Sequence, residues 1–357
     1  MASYNRDISK VESELSIYGP KDSFIEDINT NINLIKKRIK SNKLKSININ
    51  IGRYTNTKIS ILYIEDICHI DLVNNIKNKL LQIDIDGIID SSYLKRSLEN
   101  HNLFPTIMTT ERPDKCSMAL LEGKVVIVVD NSCFSLILPS LFLDYFHTTD
   151  DYYQKPLNTS FIRIIRLIAF LISIFTPAIY IAITTRNYDL VPLPLLLVLK
   201  AGRTYVPFPA YIEALFMICC FEILKESDLR MSNTTGSSIS ILGGLILGDA
   251  AVAAGIVSPI MIIVIAISSI SGLIFNSIEL VNALRAYKIL LLFLGTILGI
   301  YGIIIGSILL FLNIINTRIF GYKYLSIELN DSVIKINKRI NKRNSNLTNN
   351  IIRGRYK

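Results

Sequence analysis

The sequence predicts an α/β soluble N-terminal domain followed by an α-helical multi-pass membrane domain. Three observations carry that reading. Half of the 357 residues are apolar, yet residues 1–160 are dense in Lys, Asp, Glu and Asn, and their apolar runs are only strand-length. From Ile164 onward, long stretches carry no charge, too long and too frequent for the core of one soluble domain. Within the polar part, strand-like and helix-like patterns alternate, as in a compact α/β domain. The domains expected are therefore 1–157, a membrane domain at 158–315, and a basic cytoplasmic tail at 316–357.

In the polar domain, Phe24 to Lys40 has the spacing of an amphipathic helix, entered through a turn at Gly19 and Pro20. Lys58–Ile64 (KISILYI) and Lys124–Asp130 (KVVIVVD) read as buried strands, and Ser135–Leu138 as a third. Helical periodicity covers Arg112–Glu122 and also His69–Ile83, where Leu72, Ile76, Leu80 and Leu81 share one side.

A membrane span needs about 20 largely apolar residues. Arg166 to Ile183 supplies the first, with Arg163 and Arg166 at its polar edge and Pro177 inside it. Proline is tolerated in lipid where a neighbouring helix satisfies the carbonyl it frees. Ile239–Ala254, Ile260–Phe275 and Ile289–Leu312 supply three more spans. The last carries Gly295, Gly299, Gly302 and Gly306, a small-residue stripe suited to close packing. Between the first and second lies a broken segment, 190–224. Its first part, LVPLPLLLVL, is half a bilayer long; a charged turn, Lys200 to Arg203, follows. Ala210–Leu224 is then apolar except for Glu213 and Glu222. If 190–224 dips in and returns, four crossings leave both ends in the cytoplasm; a fifth crossing would put the tail outside.

The net charge of +9 is concentrated: ten basic residues from Arg318 to Lys357 stand against Glu328 and Asp331. Following an apolar helix, and without aromatic interleaving or a binding motif, they read as positive-inside bias with attraction to anionic lipid, not as a nucleic-acid surface. Cys68, Cys116, Cys133, Cys219 and Cys220 are odd in number and lack metal-ligand spacing, which argues against a disulfide framework or a zinc site. Residues 1–50 are polar throughout, so the first hydrophobic helix is expected to direct insertion. There is no phosphate loop, glycine-rich fingerprint or nucleophile elbow. No catalytic residue, metal or cofactor is therefore assigned, and the chain does not read as an enzyme.

The functional clue is charge among apolar residues. A carboxylate at the bilayer centre is costly and usually faces a bundle interior or an aqueous cavity. Glu213 and Glu222 either serve such a site or pair with Arg203 or Lys225 near an interface and fix the fold. Asp249 lies in a helix rich in small residues, with Ser240, Gly243, Gly244 and Gly248. That is how a helix beside a pore axis reads, with Leu245 or Ile246 as an apolar constriction and Asp249 as a cation-selective ring. A tightly packed ordinary helix accounts for the pattern equally well.

Several motifs in order bear on identity. They include YGPKDSFIE at Tyr18–Glu26, Asn29-Thr30-Asn31 through Arg38, Phe104-Pro105-Thr106, and TERPD at Thr110, Glu111, Arg112, Pro113 and Asp114. Further along come Asp151-Tyr152-Tyr153, Pro177-Ala178-Ile179-Tyr180, VPFPA at Val206–Ala210, AGIVSP at Ala254–Pro259, and Phe320-Gly321-Tyr322. The chain resembles the GerA family of spore germination proteins, the A subunits of germinant receptors, over roughly residues 6–325. It is similar also to the related stage V sporulation protein AF. The resemblance implies a multi-pass protein of the spore inner membrane that oligomerises, as a pentamer, into a channel for monovalent cations. It implies receptor B and C subunits as partners. Family members usually carry a further N-terminal subdomain, and the polar domain here corresponds to the second one, without the first. A secondary transporter using the 190–224 glutamates, or a non-conducting scaffold subunit, are the alternative functions.

Overall fold

The computed structural model describes residues 10–325 except 12, 13, 15, 100, 101 and 231–235, with no side chain described from 229 to 242. The chain divides into two compact units, Met1–Pro156 together with Ile314–Lys357, and Leu157–Asn313.

The first unit is built on five antiparallel strands in the order β1-β2-β4-β5-β3. In chain order its elements are α1 (Ile28–Arg38), β1 (Leu44–Ile51), β2 (Thr57–Ile64), α2 (Ile70–Leu81), α3 (Ser91–Leu98), β3 (Met108–Thr110), α4 (Pro113–Leu121), β4 (Val125–Val129), β5 (Ser135–Leu138) and the one-turn α5 (Asp150–Tyr153). The register sets Ile51 opposite Thr57, Ile59 opposite Val129, and Val125 opposite Leu138. Helices cover both faces: α2 and α3 pack on one, α1 and α4 on the other. A strand covered on both faces must be apolar at successive positions, which is why β4 reads VVIVV and every residue of it is buried.

Helix α1 starts at Ile28, later than periodicity suggests, because the backbone before it is committed elsewhere. Asp27 accepts the N–H groups of Asn29 and Thr30 at 3.3 and 2.9 Å, capping the helix. Asn31, fully buried, accepts the N–H of Ile25 at 2.8 Å and donates back to the carbonyl of the same residue. Phe24 donates to the carbonyl of Glu111 at 2.8 Å.

The first residues of the expected basic tail belong to this unit. Arg318–Ile319 (β6) and Tyr322–Lys323 (β7) form a hairpin. Ile319 joins the main core with Ile61, Ile76 and Leu80. Tyr324 is fully buried, its ring centroid 5.9 Å from that of Phe142 and 6.3 Å from that of Phe104. The remainder of the expected tail lies outside the described residues.

The second unit is helical: α6 (Pro156–Thr185), α7 (Leu193–Ala201), α8 (Ala210–Arg230), α9 (Gly236–Ala253), α10 (Pro259–Gly272), α11 (Ile278–Leu298) and α12 (Ile300–Asn316). Among the described residues, α6 and α11 are long and apolar enough to cross a membrane, and shorter apolar helices stand at Gly243–Ala253, Pro259–Gly272 and Ile300–Asn316. Its core gathers around α8: Ala214, Met217 and Ile218 meet Ile181 of α6, Ala251 of α9, Ile265 of α10 and Leu292 of α11.

The expected single span Ile289–Leu312 is instead two helices broken at Gly299. Gly299 has φ +63° and ψ −139°, a conformation that L side chains rarely adopt. A Cβ there would collide with Asn187 Oδ1, and the same oxygen accepts the N–H of Ile300 at 3.0 Å, starting α12. The glycine stripe serves this hairpin. A Cβ on Gly302 would run into the carbonyl oxygen of Leu294, and one on Gly306 into the Leu291 side chain. Asn313 donates to the Tyr287 hydroxyl at 2.6 Å near the open end. An apolar run with small residues fits one long helix or two tightly paired ones equally well, and only the backbone at Gly299 separates the two.

Candidate functional site

Apart from Ser240, the site residues predicted from the sequence have definite places. On α9, Leu245 and Ile246 are 63% and 57% exposed and Asp249 is exposed, all on one helical face. The opposite face is packed. A Cβ on Gly243 would lie 3.3 Å from Leu224 of α8, and Ala251 is buried in the core. Gly243 therefore serves the seam with α8 and is separated from the other pore candidates. The side chain of Ser240 lies outside the described residues.

Glu213 is 1% exposed and sits in the first turn of α8. Its Oε1 accepts from Arg203 Nη2 at 2.9 Å, and its Oε2 accepts the backbone N–H of Ser258 at 3.0 Å. Ser258 is the N-cap residue of α10. One carboxylate thus satisfies an unpaired donor at a helix start and neutralises the arginine of the α7–α8 loop. Spacing points to Arg203 as a partner, but it carries no sign of Ser258, which is 45 positions away.

Glu222 pairs with neither Arg203 nor Lys225. Its Oε2 lies 2.6 Å from Arg285 Nη2 on α11. The contact is an ion pair out of line for a hydrogen bond, and it leaves both Glu222 Oε2 and Arg285 Nε unbonded. Lys225 and the buried Lys288 complete the group, and the charges of Glu222, Lys225 and Arg285 all act on Lys288.

In the first unit, the TERPD segment forms a clasp on Glu14, Ser16, Pro20 and Phe24. Arg112 is 1% exposed, and all five of its guanidinium N–H donors are used. Nε and Nη2 donate to Asp114 at 3.0 and 2.7 Å; Nη2 also reaches the carbonyl of Pro20 at 3.2 Å. Nη1 donates to the carbonyl of Glu14 at 3.2 Å and to the Ser16 hydroxyl. Thr110 donates to Glu14 Oε2 at 2.8 Å and accepts the N–H of Arg112 at 3.1 Å. Glu111 accepts the N–H of Glu14 at 3.0 Å, and Pro113 opens α4 at its first turn, where no N–H is needed. Burial opposes the charge on Arg112, yet Asp114 and Glu14 hold its pKa above the ordinary value.

Tyr153 closes the clasp, donating to Asp114 Oδ2 at 3.1 Å. Burial first, then the Asp114 charge, pushes its phenol up to about 12. Gly19, at φ +96°, lies under that ring, where a Cβ would come within 2.6 Å. With its donors and acceptors engaged internally, the motif is a structural fastening. Among the described residues, no group of three His, Cys, Asp or Glu is placed to hold a metal ion.

A family model described as "Bacillus/Clostridium GerA spore germination protein" matches residues 2–348. The chain is similar to spore germination protein KA of Bacillus subtilis (strain 168), with 39% identity over 90% of this chain and 59% of that protein. It is similar to the uncharacterized membrane protein YfkQ of the same organism, with 36% identity over 90% of this chain and 63% of that one. Among solved structures, it matches the N-terminal domain of the A subunit of the Bacillus megaterium spore germinant receptor GerK3. That match has 39% identity and a TM-score of 0.29, and covers 34% of this chain and 97% of that chain. The chain spans about three fifths of the length of the curated relatives it matches.

Proposed function

The chain belongs to the GerA family of spore germination proteins, and on that premise we propose that it is an A-type subunit of a nutrient germinant receptor, oligomerising as a membrane channel that releases monovalent cations. In this reading the helical unit is a multi-pass domain of the spore inner membrane. B and C subunits complete the receptor, and α9 lines the conduction path.

The observation that carries the reading is the exposed face of α9. Leu245, Ile246 and Asp249 share it, while the other face is packed on α8 and the helical core. A carboxylate facing hydrocarbon is costly, so a face combining Asp249 with two large apolar residues is best placed on a wet axis shared by several copies. There Leu245 and Ile246 form the apolar constriction, and Asp249 a ring that favours cations. A homo-pentamer supplies such an axis. Glu213, held by Arg203 and Ser258, acts as a brace, which gives the transporter reading no support from that residue.

The test is potassium and sodium release from germinating spores carrying Asp249→Asn or Leu245→Ala. Slowed or less selective release with Asp249→Asn, and leak before germinant with Leu245→Ala, are expected. Normal release in both, at normal protein level, would remove α9 from the pore.

A further inference from the structure

The basic group between α8 and α11 has no counterpart in the reading above. Arg285, Lys225 and Lys288 converge on one carboxylate, Glu222, and that carboxylate is engaged by Arg285. Lys288 is only 8% exposed. Among the described residues, neither lysine has an ion-pair partner. Arg285 Nε is also buried, without a hydrogen-bond acceptor. Lys225 and Arg285 are partly exposed and Lys288 is buried, and cationic donors in excess of their acceptors call for an anion.

Position narrows the class of anion. Lys225 ends the apolar part of α8 and opens its charged end, Lys225 to Asp228. Lys288 is the last charge before the uncharged run Ile289–Leu298 of α11. Both helices therefore change from polar to apolar at the level of this group. Tyr287, beside Lys288, bonds Asn313 at the end of the hairpin where the chain leaves α12. In a bilayer that level is the headgroup layer, where a phosphodiester meets lysine and arginine at the mouth of the hydrocarbon.

We infer that Lys225, Arg285 and Lys288 form a binding site for a phosphate group, supplied by an anionic phospholipid. Glu222 holds Arg285 in place through their ion pair, beside the two lysines. The lipid source rests on the membrane reading given above; the phosphate chemistry does not.

The full chain in detergent, given equimolar phosphatidylglycerol and phosphatidylcholine, is examined by native mass spectrometry. The wild type is expected to retain phosphatidylglycerol preferentially. Lys225→Gln, at a half-exposed position with no ion pair to lose, should lower that preference about fivefold, and Lys225→Gln with Lys288→Gln further still. If lipid preference is absent but inorganic phosphate raises the melting midpoint of the wild type and not of the double variant, free phosphate is the source and the site stands. Equal lipid ratios in all three chains, with no phosphate effect, overturn the site. Extraction of the chain from its membrane by alkaline carbonate would instead overturn the membrane reading, leaving the phosphate arm as an independent readout.

Discussion

Ser268 of α10 donates its hydroxyl to the backbone carbonyl of Ser173 in α6 at 2.7 Å. That carbonyl lies four residues before Pro177, which has no N–H to offer it. A helix interrupted by proline is thus completed by its neighbour, and the two helices are fastened at a buried position. Ser268→Ala should lower the melting midpoint of the solubilised chain, at a cost of about 1 kcal/mol. Adding Pro177→Ala restores an N–H to the carbonyl and should recover much of the loss. Additive losses in the double variant would show that the two positions are not coupled.

Glu213→Gln keeps an acceptor for Ser258 but leaves the Arg203 guanidinium without its counter-charge. Loss of one partner of a buried pair costs about 3 kcal/mol. A drop of several degrees in thermal midpoint is expected, with α7 and α10 gaining hydrogen-exchange rate together. A variant as stable as the wild type would show that the pair contributes nothing.

Arg112→Lys replaces a five-donor fork by three donors on a point charge, so the carbonyls of Glu14 and Pro20 compete for what remains. The expected cost is about 2 kcal/mol. The sharper readout is trypsin cleavage after the exposed Lys21, which should accelerate as residues 16–24 loosen. Unchanged cleavage would mean that the clasp is held without the guanidinium.

The Tyr153 phenol, raised to about 12, holds its proton more tightly in the folded chain than in the unfolded one, where it titrates near its ordinary value of about 10. Its contribution to stability is therefore complete below pH about 10 and is lost as pH rises through about 12. Tyr153→Phe should flatten the decline of stability across that window, measured by denaturant unfolding at successive pH values. It does not abolish the decline, because burial and then Glu122 also raise the pKa of Tyr152.

Legibility in the sequence depends on the separation of the groups involved. The run VVIVV is a local pattern, and it marks a doubly covered strand directly. The alternation of Ile47, Ile49 and Ile51 with polar residues is the period-2 signal of a strand, and β1 carries it. Arg112 finds its carbonyl partners 92 and 98 positions away, and no periodicity carries that information. Spacing on one helix offers Lys225 as the partner of Glu222. The partner is Arg285 because α11 packs beside α8 and brings a guanidinium to the carboxylate from across the seam, a relationship that tertiary packing alone creates.

The hairpin Arg318–Lys323 has a consequence for biosynthesis. Ile319 and Tyr324 occupy the interior of a unit whose five-stranded sheet is complete before Pro139. The ribosome delivers those strands first and the two plugs only after α6 to α12 have been made. The unit begun earliest is therefore finished last, and its completion reports that the whole helical stretch has been synthesised and the chain returned. Until then, the places of Ile319 and Tyr324 in that interior stay unfilled.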